Sequence, residues 1–289
     1  MSTAALSDPP QNKRFQTLES GTVIGALSNV ESCMSSSLEV NILGVIVDCL
    51  KDPSYYPLVM AVNRTWQQCV EPYVKKWVRD FAFGAEDWRR YYGNVRKVPS
   101  LPPHIFKILM GLCPYWEGKR VKETHFLTLI PESVNDVPLT LNTFQECIKN
   151  PQGGGDAAEY SFYPEGVKNE LGKERMVAPY WALMTKNVLP GSRNKTFTEQ
   201  EAILQADSRY GVPKALETTV VFLTHHVKKK VQFHLEERSI YTRCEEKVHD
   251  KVYRVIVGAL GSAGLIINSY FYGDGNGGDH IGLRALRKL

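Results

Sequence analysis

The 289-residue sequence lacks the segments that would direct a chain into or across a membrane. Its first twenty residues contain no apolar core of the signal-peptide type. No run reaches the roughly 18 apolar residues of a membrane-spanning helix, because the longest apolar stretch is interrupted by Gly258, Gly261 and Gly264. We therefore expect a soluble, cytosolic protein without a membrane span.

Strong charge and paired cysteines are also missing. The formal net charge is only +4, and basic residues gather only at Lys228–Lys230 and at Arg284, Arg287 and Lys288. That is too little for a nucleic-acid-binding surface, so no nucleic-acid partner is predicted. The six cysteines include no C-x-x-C pair, which favours a compartment that keeps thiols reduced over a disulfide framework.

Motifs for metal binding and nucleophilic catalysis are not found. His225 and His226, with His234 beyond them, do not form an H-E-x-x-H pattern, which favours structural or surface roles. The segment Asp274–His280 has no closing glutamate for a calcium loop, so a hairpin loop is predicted there. Cys244 and His249 are closer in sequence than a typical nucleophile and its base. The sequence therefore predicts no metal, no cofactor and no catalytic residue.

What the sequence does contain, near its start, is a series of short amphipathic helices. Residues 1–36 are polar and aperiodic, and we expect them to form a mobile tail. Ser36 and Glu39 have the spacing of a capping box, and apolar residues follow it at helical intervals. Further helices are predicted up to the last one, Glu86–Tyr92. Residues 37–98 are thus predicted to form a small helical domain.

The pattern changes after the prolines at 99, 102 and 103, and residues 99–289 are predicted to be an α+β domain with a mainly antiparallel sheet. The strand-like segments are THFLTLIP, YWALMTK, YTRCEEK, YRVIVGAL, LIINSYFY and IGLRALRKL. Helices are predicted over Leu141–Lys149, over Thr198–Tyr210 with a capping box of Thr198 and Glu201, and over Pro213–Val227. Gly261 and Gly264 predict a hairpin turn between strands 255–259 and 265–270.

The apolar positions of the N-terminal helices resemble an F-box. That family usually reads L-P-x-E-I-L-x-x-I-x-x-x-L, followed after a gap by V-C-x-x-W. The matching residues are Leu38, Ile42, Leu43, Ile46, Leu50, Val62 and Trp66. Glu39, Asn41 and Asn63 stand where the family usually has proline, an acidic residue and cysteine. The resemblance implies that the matching side chains dock a Skp1-type subunit of a cullin ubiquitin ligase.

The chain from Trp116 onward is similar to a region that accompanies F-box-like domains in proteins of amoeba-associated chlamydiae. The similar stretches include HFLTLIPESVNDVPLTL, YWALMTKNVLPGSRNKTF and VPKALETTVVFLTHHV. This similarity implies an effector that acts in the host cytosol. It would be an adaptor without enzyme activity, whose C-terminal domain recruits an unknown target protein to the host ligase.

Two alternatives stay open. The helices from Leu38 to Trp66 would, in the first, simply pack on the C-terminal domain. In the second, that domain is an enzyme of unknown reaction and the helices are its structural lid; a pocket with polar groups from distant segments would favour the enzyme. The polar loop of Ser192, Arg193, Asn194 and Lys195 follows a strand and is the candidate for binding an anion or an acidic segment of the target.

Overall fold

The computed structural model describes residues 76–229, 240–261, 264–269 and 273–289. Contacts divide the chain into two compact units, Met1–Arg64 and Thr65–Leu289, and every described residue belongs to the second. The predicted tail and all the predicted F-box positions therefore lie outside the described residues. The second unit combines helices with mainly antiparallel sheets, which confirms the α+β class. Within the described ranges, no helix is long and apolar enough to cross a membrane.

The described chain opens with helical residues 76–81 and continues through alternating helices and strands. The named helices are α1 (Ala85–Tyr91), α2 (Ile105–Met110), α3 (Val121–Thr124), α4 (Leu141–Lys149), α5 (Gly166–Leu171), α6 (Phe197–Leu204) and α7 (Ala215–Lys229). The strands are β1 (His125–Ile130), β2 (Ser133–Val134), β3 (Val137–Pro138), β4 (Tyr160–Tyr163), β5 (Tyr180–Thr185), β6 (Tyr241–Val248), β7 (Tyr253–Gly261), β8 (Gly264–Asn268), β9 (Ile281–Gly282) and β10 (Leu286–Lys288).

Two main sheets are formed. The smaller has the order β1-β5-β10 and is antiparallel throughout. The larger has the order β4-β8-β7-β6-β9, in which β6, β7 and β8 are antiparallel while β4 and β9 pair with their neighbours in parallel. The predicted hairpin is confirmed, since β7 and β8 pair with Gly261 opposite Gly264. The strands β2 and β3 form a separate small hairpin.

Helix α7 is the central element of the core, because it packs on β1 of one sheet and on β6 and β7 of the other. Several of its polar side chains are buried and form hydrogen bonds with nearby groups. Thr219 and Thr224 donate to the carbonyls of the preceding helical turn at 2.8 and 2.7 Å, and the His225 ring lies 2.9 Å from the Thr128 hydroxyl. A helix buried on all sides can carry such residues only when their polar atoms find partners.

Residues 76–98 belong to this same core, which corrects the domain boundary predicted after residue 98. Phe83 is fully buried and exchanges backbone hydrogen bonds of 2.8 Å with Leu127 and Leu129 of β1. The Trp88 indole donates to the Leu129 carbonyl at 2.8 Å. The proline-rich segment is packed as well, since the Pro99 carbonyl accepts a hydrogen bond from Trp181. The prolines mark a change of secondary structure and not a linker.

Helix α6 begins earlier and ends earlier than predicted. The observed capping box uses Thr196 and Glu199, with the Glu199 carboxylate 2.8 Å from the Thr196 amide, in place of Thr198 and Glu201. The helix ends at Leu204, and in the turn that follows, the Asp207 carboxylate accepts a hydrogen bond from the Arg209 amide at 3.0 Å. Both T-x-x-E spacings are present in the sequence, and the path of the preceding loop selects the first.

The C-terminal segment IGLRALRKL was predicted as one strand and forms two, β9 and β10, in different sheets. Between them the backbone is tied to three distant elements. The Leu189 amide donates to the Leu283 carbonyl at 2.7 Å, the Arg284 amide to the Thr242 hydroxyl at 2.9 Å, and the Ala285 amide to the Thr185 hydroxyl at 3.1 Å. These bonds hold the segment between β9 and β10, which is buried. Its mainly apolar sequence therefore predicts one continuous strand.

Candidate functional site

The loop predicted to bind an anion or a target is, in large part, hydrogen-bonded to other parts of the protein. Ser192 is fully buried, and its hydroxyl donates to the Leu189 carbonyl at 2.7 Å and accepts from the Leu283 amide at 3.1 Å. Gln200 donates to the Ser192 carbonyl at 2.6 Å. Ser192 is therefore unavailable to a ligand, which corrects its place in the predicted binding loop.

The other three loop residues are more accessible and surround the C-terminal segment. Asn194 adopts a left-handed backbone with φ of 56°, and its amide donates to the Gly278 carbonyl at 3.0 Å. Lys195 forms an ion pair with Glu199 at 3.7 Å, whereas the Arg193 side chain is exposed. The binding role of these three residues stays a prediction.

Cys244, His249 and Asp274, which were not predicted to act in catalysis or metal binding, are each in contact with other parts of the protein. Cys244 is fully buried, and His249 lies at the end of β6, where its ring is 3.6 Å from Glu170. In the predicted hairpin loop, the Asp274 carboxylate pairs with Lys247 and, at 2.8 Å, with Arg254. Among the described residues, no three His, Cys, Asp or Glu side chains stand close enough to hold a metal ion.

The arrangement with the richest chemistry is a cavity of about 250 Å³ at the N-terminus of α7, hereafter the carboxylate cavity. Four of its polar groups come from elements that are distant in sequence, namely Tyr180 on β5, Glu217 on α7, Glu246 on β6 and Lys288 on β10. Glu174, Arg175 and Lys214 also line it. Its walls are mainly apolar and include Leu141, Leu171, Met176, Val177 and Leu216.

Glu217 is the buried anchor of the carboxylate cavity, with only 1% of its surface exposed. One carboxylate oxygen accepts from the Lys214 amide at 2.7 Å and so caps α7. The other oxygen accepts from the Tyr180 hydroxyl and lies 2.8 Å from the Lys288 ammonium. Burial, and then the Glu217 charge, raise the pKa of the Tyr180 hydroxyl, so Tyr180 remains a donor. Glu217 is thus fully committed to internal partners.

Glu246 lies at the same helix terminus as Glu217 but, among the described residues, is not paired with a cation. Both of its carboxylate oxygens lie 3.0 Å from the Ala215 amide, and it forms no ion pair with any described residue. Burial raises the pKa of Glu246 to about 7; the negative charges of Glu174 and Glu217 act in the same direction, while the Ala215 hydrogen bond opposes them. A carboxyl group with this pKa exchanges its proton near neutral pH and is suited to general acid–base catalysis or to binding a cation.

The carboxylate cavity cannot be predicted from the sequence, because the residues that line it do not form a pattern of regular spacing. The one local signal is Glu217 itself, which stands at the third position of α7 and reaches back to the Lys214 amide as in a capping box. Position 214 is a lysine and not Ser, Thr, Asp or Asn, so the sequence does not show the usual first residue of a capping box there. The approach of Glu246 and Lys288 to Glu217 depends entirely on the sheet topology.

A second concavity, of about 490 Å³, lies beside α2 and is hereafter the basic groove. Its charged lining residues are Lys107, Asp207, Arg209 and Arg287, and His104 lines it as well. Its apolar lining includes Ile108, Leu112 and Val121. The groove and the cavity share no lining residue. The second unit therefore offers two separate places where a ligand has access to charged groups.

Comparison of the chain with protein-family models, with curated proteins and with solved structures finds no match.

Proposed function

We propose that the protein is an F-box-like adaptor that joins a Skp1-type subunit of a host cullin ubiquitin ligase to a target protein. The observation that supports this proposal is the spacing of the apolar residues from Leu38 to Trp66, which follows the F-box pattern. In the proposal, the protein acts as a chlamydial effector in the host cytosol, and the α+β part of the chain, predicted as residues 99–289, selects the target.

The proposed docking residues are sufficient in energetic terms. Burying an apolar side chain of this size contributes about 1.5–3 kcal/mol. Leu38, Ile42, Leu43, Ile46 and Leu50, with Val62 and Trp66, would therefore offset the cost of association and leave a useful affinity. The same energies would also hold these helices against another part of the chain, so the experiment must separate the two situations.

The test is co-purification of full-length protein with Skp1 after the double substitution Leu43→Asp and Ile46→Asp. A carboxylate buried at an apolar interface costs several kcal/mol, and each 1.4 kcal/mol is about tenfold in affinity, so we expect a loss of at least about a hundredfold. The matched control is Asn41→Asp, which adds the same charge where the F-box family usually has an acidic residue. The control is expected to bind Skp1 as well as the parent chain.

Retention of Skp1 by the double variant would show that the F-box assignment is wrong. Loss of cooperative unfolding of the whole chain would instead show that these helices share a core with the rest of the protein. That result would favour intramolecular packing over adaptor binding.

We propose as a second candidate that the C-terminal unit is an enzyme that transfers a proton through Glu246. The observation that favours it is the carboxylate cavity, in which Tyr180, Glu217, Glu246 and Lys288 converge from distant segments. Glu246 would act as the general acid–base group. The ion pair of Glu217 and Lys288 would set the local charge that influences the pKa of Glu246.

Titration of the ¹³C-labelled glutamate carboxyl groups of the full chain tests this candidate, with Glu246→Gln used to assign the resonance. We expect Glu246 to titrate near pH 7, and its pKa to fall in Glu217→Gln because a neighbouring negative charge is removed. A Glu246 that titrates at the ordinary value for glutamate would eliminate it as an acid–base catalyst at neutral pH.

A further inference from the structure

The lining of the basic groove includes cations that form no ion pair with any of the described residues. We propose that it binds an acidic peptide segment of a partner protein, with an apolar side chain of that segment placed on Leu112. This inference rests on the proposed adaptor function and names the class of target segment that the C-terminal unit would select.

The first argument is the charge balance of the groove. Lys107, Arg209 and Arg287 line it together with a single carboxylate, Asp207. That carboxylate is already engaged, because the Arg209 guanidinium contacts both of its oxygens, one of them at 2.8 Å from Nε. The hydrogen bonds from Arg209, with a further contribution from the Arg287 charge, hold the pKa of Asp207 below its usual range.

Lys107 and Arg287 are left over in this balance. Neither makes an ion pair with any residue of the described ranges, and both line the same open space. Three cations with one carboxylate give the groove a net positive charge, which attracts negative charge and disfavours a basic ligand. The groove is therefore complementary to carboxylates presented by an acidic segment.

The second argument is an exposed apolar side chain inside the same groove. Leu112 is 72% exposed, whereas the neighbouring Val121 is buried at 4%. A large apolar side chain gains from being covered, and Ile108 and Pro114 extend the apolar surface beside it. An inorganic anion would use the cations and leave Leu112 uncovered, so the occupant must carry both carboxylates and an apolar group.

The size of the groove fits a short segment. A volume of about 490 Å³ lies within the range of pockets that accept small ligands and peptide side chains. A nucleic acid would need a broader basic surface than these few cations supply. Successive side chains of an extended peptide point to opposite faces, so a segment that carries carboxylates and apolar groups on the same face satisfies both features of the lining.

The test uses a fluorescein-labelled octapeptide in which two glutamates and two leucines alternate as pairs, so that each face of the extended chain carries both, titrated with full-length protein by fluorescence polarisation. We expect saturable binding that weakens with added salt. The double variant Lys107→Glu and Arg287→Glu should bind at least about tenfold more weakly, because two attractive charges become repulsive. The matched control is Lys149→Glu with Lys168→Glu, two exposed lysines on α4 and α5 outside the groove, which should bind as the parent does.

Three further measurements decide the occupant. A peptide with glutamine in place of glutamate, and one with alanine in place of leucine, should each bind more weakly. The variant Leu112→Ser, which alters an exposed side chain and so leaves the fold intact, should weaken binding of the leucine peptide only. Equal binding of the glutamine peptide, undiminished binding by the double variant, or no saturable binding at all would overturn the proposal.

Competition by inorganic phosphate as effective as that by unlabelled peptide would identify a small-anion site and would also overturn it. Retention of Skp1 by the groove variants keeps this result separate from the adaptor proposal. If Skp1 binds and the peptide does not, only the assignment of the target segment fails. If the peptide binds and Skp1 does not, the groove is a peptide site in a protein that is not an F-box adaptor.

Discussion

The carboxylate cavity and the basic groove are both lined by residues of strand β10, and they differ in whether the cation from that strand is paired with a carboxylate. Arg287 lines the groove and Lys288, the next residue, lines the cavity. Successive side chains of a strand point to opposite faces, so one short strand supplies a cation to each place. In the cavity, Lys288 is paired with the buried Glu217 at 2.8 Å. In the groove, Arg287 has no ion pair among the described residues.

The difference shows which charges hold the fold and which remain for a ligand. A carboxylate as deeply buried as Glu217 is stabilised by hydrogen-bond donors and by a counter-charge, and it has both. Arg287 and Lys107 face solvent, where an unpaired cation costs little. We therefore expect substitutions in the cavity to change stability first, and substitutions in the groove to change binding first.

The largest effect is expected for Glu217→Ala. The substitution removes the cap of α7 and leaves the Tyr180 hydroxyl and the Lys288 ammonium without their acceptor, so the free energy of unfolding should fall by about 3–5 kcal/mol. Urea unfolding at pH 7 measures this value. The matched substitution in the groove, Asp207→Ala, should cost only about 1 kcal/mol because Asp207 pairs with an exposed arginine. Equal losses for the two variants would remove the distinction between cavity and groove.

The next effect is the pH dependence that Glu246 gives to stability. Its pKa is raised in the folded chain, so the folded state binds more protons than the unfolded state between about pH 4.5 and 7. Stability from this group is therefore present at low pH and lost as the pH rises through that window, by about 2–3 kcal/mol. Glu246→Gln keeps an acceptor for the Ala215 amide but cannot ionise. The variant should be more stable than the parent at pH 8 and similar to it at pH 4.5.

Glu245→Gln is the matched control, because Glu245 is the adjacent residue of β6 and its side chain is exposed. It should follow the parent in urea unfolding at both pH values. If Glu246→Gln also follows the parent at pH 8, the Glu246 carboxyl is not shielded from water. In that case the cavity offers no group that exchanges a proton near neutral pH.

Much of the fold is predictable from the sequence, since the strand-like segments and α4 depend on local patterns. The run HFLTLI becomes β1, and Leu141–Lys149 is helical over the same residues that were predicted. Short elements without a distinctive pattern were missed, among them α5 and β4. The domain boundary predicted from the change of pattern at the prolines was wrong, because Phe83, which precedes them, is hydrogen-bonded to β1.

The candidate sites were much less predictable. Glu217 gave a partial capping signal, but nothing local indicates that Glu246 and Lys288 approach it. The predicted basic loop drew attention to Ser192, whose hydroxyl is used to hold the crossing between β9 and β10. Composition identifies which residues are polar, and only the topology decides which of them are satisfied within the protein.

The smallest effect should separate the two neighbouring cations of β10. Lys288→Met leaves the buried Glu217 without its counter-charge and removes the ammonium that lies 4.9 Å from the centre of the Tyr180 ring, so it should cost about 1 kcal/mol in urea unfolding. Arg287→Met removes no ion pair among the described residues, and the change should stay within about 0.5 kcal/mol. The two substitutions replace adjacent residues by the same side chain, so β-propensity and apolar exposure nearly cancel in the comparison. A larger loss for Arg287→Met than for Lys288→Met would mean that Arg287 is held by the protein itself, and Lys107 alone would then remain as a groove cation without an ion pair among the described residues.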